Sequence, residues 1–248
     1  MRRRDLVDHW QLRQRDPART LEDECAASEG WLPATVPGVV QGDLLAQGLI
    51  PDPFQELNET AAQWVGEHDW IYRCRFSWAP DEAAEREPVL CFGGLDTIAT
   101  VWLNGQQILA SDNMFVAHRI PVQAHLTAGE NELIILLESA LRVGKEREAE
   151  HEKMPVWNGD SSRVYVRKAQ YHYGWDWGPC LLTAGPWQPV WLEYVSSRIA
   201  ELHCPVEISD DLHSAQFPVR VAVEHPETMP SAALQLALYA PGGELLGD

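Results

Sequence analysis

The 248-residue sequence lacks features that several function classes require. No apolar run approaches the ~18 residues of a membrane-spanning helix. Arg2, Arg3 and Arg4 lead into Asp5, Asp8 and polar residues rather than an apolar segment, so no secretory leader is expected. Positive charge is scarce: 19 Lys+Arg stand against 37 Asp+Glu, a formal charge of −18. A phosphate backbone or an anionic bilayer attracts a basic face, so neither a nucleic-acid nor a membrane partner is expected. The five cysteines (Cys25, Cys74, Cys91, Cys180, Cys204) are odd in number, scattered and without a Cys-x-x-Cys pair, which argues against a disulfide framework or a thiolate zinc site. The nine histidines show no His-Glu-x-x-His spacing, and no metal or cofactor is expected. Unpaired thiols and the missing leader together suggest a cytoplasmic protein.

What is abundant is tryptophan, 11 residues, and strand pattern. Trp70 to Trp78 alternates, with Trp70, Tyr72, Cys74, Phe76 and Trp78 on one face and Arg73, Arg75 and Ser77 on the other, a half-buried strand. Val89 to Phe92 follows, then Thr97 to Leu103, Asn104-Gly105 and Gln106 to Leu109. Asn-Gly between two such runs signals a hairpin, because both turn positions need positive φ. Further strands are expected at Val116–Val122, Glu132–Leu137 and Val190–Val195. Cys74 and Cys91 are expected in the core. Gly42 to Leu49 suggests a short helix. Ser139 to Lys153 suggests a solvated helical insertion, and its Glu150-His151-Glu152 cluster is better read as a charged surface than as a metal site. Asn58-Glu59-Thr60 is formally a glycosylation sequon, not expected to be used without a leader.

The character changes near Ser196. Ile199–Ile208, Phe217–Val223 and Leu234–Tyr239 are three more strands, and Pro241-Gly242-Gly243 turns into Glu244-Leu245-Leu246, where the sequence stops. Three strands and a piece of a fourth fall short of the seven or so in an immunoglobulin-like sandwich. The expectation is an all-β protein: a jelly-roll sandwich over residues 1–196, then the truncated start of a second sandwich over 197–248.

The densest constellation is Arg167-Lys168-Ala169-Gln170-Tyr171-His172-Tyr173-Gly174-Trp175-Asp176-Trp177-Gly178-Pro179. Gly174 and Gly178 permit sharp turns that would present Asp176 at a rim. An acid between aromatic faces suits a sugar, whose hydroxyls donate to the carboxylate while a ring stacks on its C–H face. Equally, both tryptophans could be core and Asp176 a turn cap.

In ordered blocks from Trp31 to about Glu193, the sequence resembles the N-terminal part of glycoside hydrolase family 2 β-mannosidases. The blocks are Val36-Pro37-Gly38-Val39-Val40, Gly48-Leu49-Ile50-Pro51-Asp52-Pro53, Asp69-Trp70-Ile71-Tyr72, Gly94-Leu95-Asp96-Thr97 with Val101-Trp102-Leu103-Asn104-Gly105, and Arg167-Lys168-Ala169-Gln170 with Gly174 to Pro179. Trp-Asp-Trp-Gly-Pro points to the mannosidase branch. One departure is Gln41, where many relatives place histidine.

The resemblance implies a galactose-binding-like jelly roll, an immunoglobulin-like domain and a (β/α)₈ barrel, acting on terminal non-reducing β-D-mannose with retention. Both catalytic glutamates would come from the barrel, which needs ~250 residues of its own. No catalytic residue is therefore expected in this chain, which alone should be inactive. Asn58-Glu59 and Asn131-Glu132 match the asparagine-glutamate pair of the acid/base superficially, but neither falls at a barrel strand end. The resemblance implies that Asp176 binds hydroxyls of the terminal mannose and that Trp175 and Trp177 shape the pocket wall. It implies that Arg167 orients Asp176, contacts the sugar or serves as an ion-pair partner. The other tryptophans, including Trp10, Trp31, Trp70, Trp78 and Trp102, are expected in the core. The expected partners are a β-mannoside glycan and the downstream barrel. Competing readings are a free-standing carbohydrate-binding module and a family 2 β-galactosidase or β-glucuronidase relative.

Overall fold

The structure, a computed structural model, describes residues 2–83, 86–151, 153–157, 159–224 and 233–247. It divides into two compact units, one up to Tyr194 and one from Val195.

The first unit runs β1 (Arg2–Asp5), β2 (Trp10–Gln14), α1 (Leu21–Ala26), β3 (Leu32–Pro33), α2 (Val40–Ala46), α3 (Asn58–Ala61) and α4 (Trp64–Glu67). It continues with β4 (Trp70–Trp78), α5 (Pro80–Ala83), β5 (Glu87–Phe92), β6 (Ile98–Leu103), β7 (Gln106–Ser111) and β8 (His118–Pro121). Then come β9 (Gly129–Glu138), α6 (Ala140–Glu150) and β10 (Val190–Val195). Two antiparallel sheets result, in strand orders β3-β2-β4-β9-β6-β7 and β1-β10-β5-β8. Between them lies one core. Leu12, Tyr72, Val101, Leu133 and Ile135 of the larger sheet meet Leu90, Phe92, Leu192 and Tyr194 of the smaller, all buried. This is the all-β sandwich that the period-2 patterning implies.

Strand β4 covers the expected residues, but the far face of its sheet is not simply polar. Ile71, Ile134 and Leu136 form a second cluster with Leu21, Cys25, Trp31 and Trp102 packed on it. Arg73, expected to face water, is buried instead. The Trp31 ring lies 3.8 Å from its guanidinium, and Arg73 donates to the Gln11 side chain at 2.7 Å and to the Cys25 carbonyl at 3.1 Å. Helix α1 caps this face, held by Arg13 and the fully buried Glu24 at 2.7 Å. Trp31 and Trp102 are thus half-buried under that cover, whereas Trp10, Trp70 and Trp78 are in the core. Cys74 and Cys91 are buried as expected, and burial pushes the Cys74 thiol up to about 12.

The Asn104-Gly105 hairpin forms between β6 and β7, with φ of 52° and 78° at the two turn residues. Asn104 is tied on both ends of its amide. It donates to the His125 carbonyl (2.8 Å) and the Asn131 side chain (2.7 Å), and accepts from the Glu132 amide (2.9 Å). Glu132 itself pairs with Arg75 at the strand surface.

The charged stretch after Ser139 is a helix, α6, whose first turn is capped by the Ser139 hydroxyl. It is not merely solvated. Ala140 and Gly144 are buried, and a Cβ on Gly144 would stand 3.1 Å from the Ser162 carbonyl of the turn Ser161–Tyr165. His151 donates to the Arg147 carbonyl and lies against Tyr165; Glu152, the third member of its acidic cluster, is outside the described residues. The short helix after Val39 starts earlier than expected, at Val40, and β1, β2 and β3 were not anticipated.

The second unit holds β11 (Arg198–His203), β12 (Glu207–Ile208), β13 (Ala215–Gln216), β14 (Arg220–Glu224), β15 (Leu238–Tyr239) and β16 (Leu245–Gly247), paired β11-β14, β12-β13 and β15-β16. The expected strand Ile199–Ile208 is broken in two. Of Leu234–Tyr239 only the last two residues pair, so its alternation does not extend the ladder.

Ile135 is wholly buried on the central strand of the larger sheet, so Ile135→Ala should remove about 2–5 kcal/mol of stability, read as a lower urea midpoint with an unchanged slope.

Candidate functional site

Between Val166 and Pro189 the chain forms no strand, only the short 3₁₀ turn Gln170–Tyr173. Side chains therefore share the anchoring that ladders provide elsewhere with scattered backbone bonds, such as those from the Val40 amide to Ala184 and from the Met114 amide to Arg167.

The main anchor is Lys168, fully buried against Asp96. Its ammonium donates to both carboxylate oxygens at 2.6 and 2.5 Å and to the Thr183 carbonyl at 2.8 Å. Asp96 also accepts from the hydroxyls of Thr97 and, at 2.6 Å, Thr183. The main chain of Asp96 exchanges two hydrogen bonds with Gly185. Burial lowers the affinity of Lys168 for its proton, and the adjacent carboxylate opposes that shift. Two sequence blocks 72 residues apart thus meet in one ion pair. Reading Arg167 as the cation of interest passed over its neighbour. The usable signal was Lys168 between the apolar Val166 and Ala169, both buried.

His172 completes this layer. Thr183 gives its hydroxyl proton to Asp96, so His172 Nδ1, 3.2 Å away, is the donor to that hydroxyl oxygen. Burial first, then the Lys168 charge, pull the imidazole down to about 4, partly countered by Asp96.

The returning leg is fastened from α2 and from the α3–α4 segment. Gln41 donates to the Leu182 carbonyl at 2.7 Å, so the glutamine that departs from the family pattern has a structural task. The Cys180 amide donates to Glu59 at 3.0 Å, and Gln63 donates to the Cys180 carbonyl at 2.7 Å. Burial and the Glu59 charge both raise the Cys180 thiol pKa.

From these legs rises the tight turn Trp175–Gly178, closed by the Gly178 amide on the Trp175 carbonyl. Gly174 enters it at φ 97°, where a side chain would be strained, and an added Cβ would lie 3.3 Å from that of Cys180. Gly178 has no such φ, so the conformational freedom that both glycines permit is used at Gly174 alone. Asp176 is exposed, and Trp175 and Trp177 are 40% and 68% exposed, so the core alternative for these tryptophans is excluded. Each ring is backed. The buried Arg163 guanidinium stands 5.9 Å from the Trp175 ring, and Tyr171 packs on Trp177 at 5.7 Å. Arg163, Tyr171 and His172 are site neighbours that the sequence reasoning missed.

Arg167 is not part of this turn. Among the described residues no hydrogen bond or ion pair joins it to Asp176. It lines a groove of about 650 Å³ with Asp112, Phe115, Arg147 and Gln170. Among the described residues no group of three or more His, Cys, Asp or Glu is arranged to hold a metal ion, and no helix is long and apolar enough to cross a membrane.

Residues 10–188 match the family described as the glycosyl hydrolase 2 galactose-binding domain-like family. The chain belongs to that family. This galactose-binding-like chain is 45% identical over 222 residues to β-mannosidase B of Thermothelomyces thermophilus, covering 88% of this chain and 25% of the relative. It is 43% identical to β-mannosidase B of Emericella nidulans over 88% of this chain and 26% of the relative. It superposes on the crystal structure of the β-D-mannosidase from Dictyoglomus thermophilum with a TM-score of 0.78 and 36% identity, over 92% of this chain and 27% of that one. The chain thus spans about a quarter of the length of the curated relatives it matches.

Lys168→Met strands a buried carboxylate and should destabilise the first unit by about 3–5 kcal/mol, with Asp96→Asn/Lys168→Met recovering part of the loss in urea denaturation. A histidine held near 4 when folded and at its ordinary 6.5 when unfolded takes up its proton in the unfolded chain first. Its contribution to stability is therefore complete above pH 6.5 and lost as pH falls towards 4. Urea midpoints across that window should drop more steeply for the native chain than for His172→Gln.

Proposed function

We propose that this chain is the sugar-recognition part of a β-mannosidase, in which Asp176 receives hydroxyl hydrogen bonds from the terminal mannose and Trp175 and Trp177 wall the sugar in. One observation carries the reading. An exposed aspartate, flanked in sequence by two exposed tryptophans, lies in a turn whose legs are tied to the sandwich. The relatives named β-mannosidase support the choice of sugar.

The chemistry assigned to this chain is positioning. A carboxylate held in place before the substrate arrives loses little freedom on binding, and its bonds to hydroxyls orient the ring for attack. Cleavage itself, with retention, requires two carboxyl groups ~5–5.5 Å apart. In the proposed whole protein these come from a (β/α)₈ barrel, and this chain supplies no catalytic group. The partners are then a β-mannoside glycan and that barrel. Arg167, with no ion-pair partner among the described residues, is available for a substrate hydroxyl away from Asp176. The five cysteines are odd in number and scattered along the sequence, which favours a cytoplasmic setting.

The exposure of both rings also suits a free-standing carbohydrate-binding module. Two measurements distinguish these readings. The complete polypeptide should hydrolyse an aryl β-D-mannoside in preference to the matching β-galactoside and β-glucuronide, and Asp176→Ala should lower kcat/KM about ten- to a hundredfold. Unchanged activity would remove Asp176 from the site. The 248-residue chain alone should turn over nothing and bind mannose weakly in calorimetry; robust binding would favour the module.

A further inference from the structure

The reading of Asp176 as a sugar contact leaves open what fixes its height above the sandwich. Its turn has one backbone hydrogen bond of its own, at 3.4 Å. Two residues beyond Gly178, however, both polar groups of Cys180 are taken by side chains from a single segment: the amide by Glu59 Oε2 at 3.0 Å, the carbonyl by Gln63 Nε2 at 2.7 Å. Gln63 also donates to the Glu59 carbonyl at 2.8 Å, so the two grips brace one another.

The segment that provides them is itself immobilised on the core. Val65 is buried and its carbonyl accepts from the Trp70 indole at 2.9 Å. Gly66 packs so closely on Leu182 that a Cβ would come within 2.6 Å of that side chain, and its carbonyl accepts from the Ser139 hydroxyl at 2.7 Å. Cys180 in turn sits beside Gly174 at the other foot of the turn. Gripping Cys180 therefore sets both feet at once.

We infer that Glu59, seconded by Gln63, is a positioning residue for Asp176: the pair clamps the Cys180 peptide and thereby sets where the Trp175–Gly178 turn presents its acid. The inference rests on the sugar-contact reading of Asp176. Glu59 acts through Asp176 and touches no reacting atom.

The test uses the complete polypeptide with Glu59→Ala, Glu59→Gln and Asp176→Ala, alone and combined. Hydrogen exchange over residues 174–182 reads the clamp; kinetics on an aryl β-mannoside read its consequence. Glu59→Ala should accelerate exchange in that peptide and lower kcat/KM about ten- to a hundredfold. Glu59→Gln, which keeps an acceptor oxygen, should preserve both. In the Asp176→Ala background, Glu59→Ala should cost little more, because its effect passes through the missing acid. Equal cost in both backgrounds, or unchanged exchange in Glu59→Ala, would overturn the inference. If the unsubstituted polypeptide is inert towards β-mannosides while exchange follows the expected order, the clamp stands and the mannoside reading fails.

Discussion

The candidate site depends on a buried charge. Lys168 and Asp96 are each removed from water, which costs several kcal/mol per ion unless every donor and lone pair is matched. Here the matching is dense. The ammonium meets both carboxylate oxygens and the Thr183 carbonyl, and the carboxylate meets two hydroxyls as well. Hydrophobic burial is non-directional and would tolerate sliding of the long irregular segment across the sandwich edge. Bonds to specific atoms allow one placement. The ion pair is therefore a locating pin for the chain between Val166 and Pro189.

Around that pin the anchors form a sequence from core to surface. Asp96 holds Lys168 and Thr183, Thr183 meets His172, and Tyr171 beside it supports Trp177. On the other leg, Gln41, Glu59 and Gln63 hold the main chain at Leu182 and Cys180. Polar side chains thus do for this loop what ladders do for β4 and β9. A sandwich with a packed core carries an irregular segment fixed to it by side chains as well as by backbone bonds at Arg167, Ala184, Gly185 and Pro186.

The parts of this arrangement legible in the sequence were those set by local pattern. The strand from Trp70 to Trp78 and the Asn104-Gly105 turn are set by neighbouring residues, and the strand's span and the turn are found as expected, though polar and apolar faces separate only from Cys74 onward. So is β10, an apolar run. Arg73 was misplaced because the cover over it, Trp31, lies 42 residues earlier in the chain, and alternation on one strand says nothing of what packs across it. Strands β1 to β3 were missed because arginines and glutamines dominate β1 and β2 and β3 is two residues long. The rim around Asp176 was legible because Trp, Asp, Trp and glycine are adjacent. Its supports were not: Lys168–Asp96 and Glu59–Cys180 join residues 72 and 121 positions apart, and such pairs are fixed by the fold rather than by any local rule.

The Asn104-Gly105 hairpin has a further consequence for how the protein ages. Asparagine before glycine is chemically fragile, because the glycine amide nitrogen can attack the side-chain carbonyl and close a succinimide that opens to aspartate or isoaspartate. That attack needs the Asn104 side chain to swing freely over its own backbone. Here its nitrogen is held by the His125 carbonyl and the Asn131 side chain, and its oxygen by the Glu132 amide. The bonds that splice this turn to the start of β9 hold that side chain in place. Deamidation at this position thus becomes a reporter of local opening, slow while the hairpin stays joined to β9 and fast once it parts.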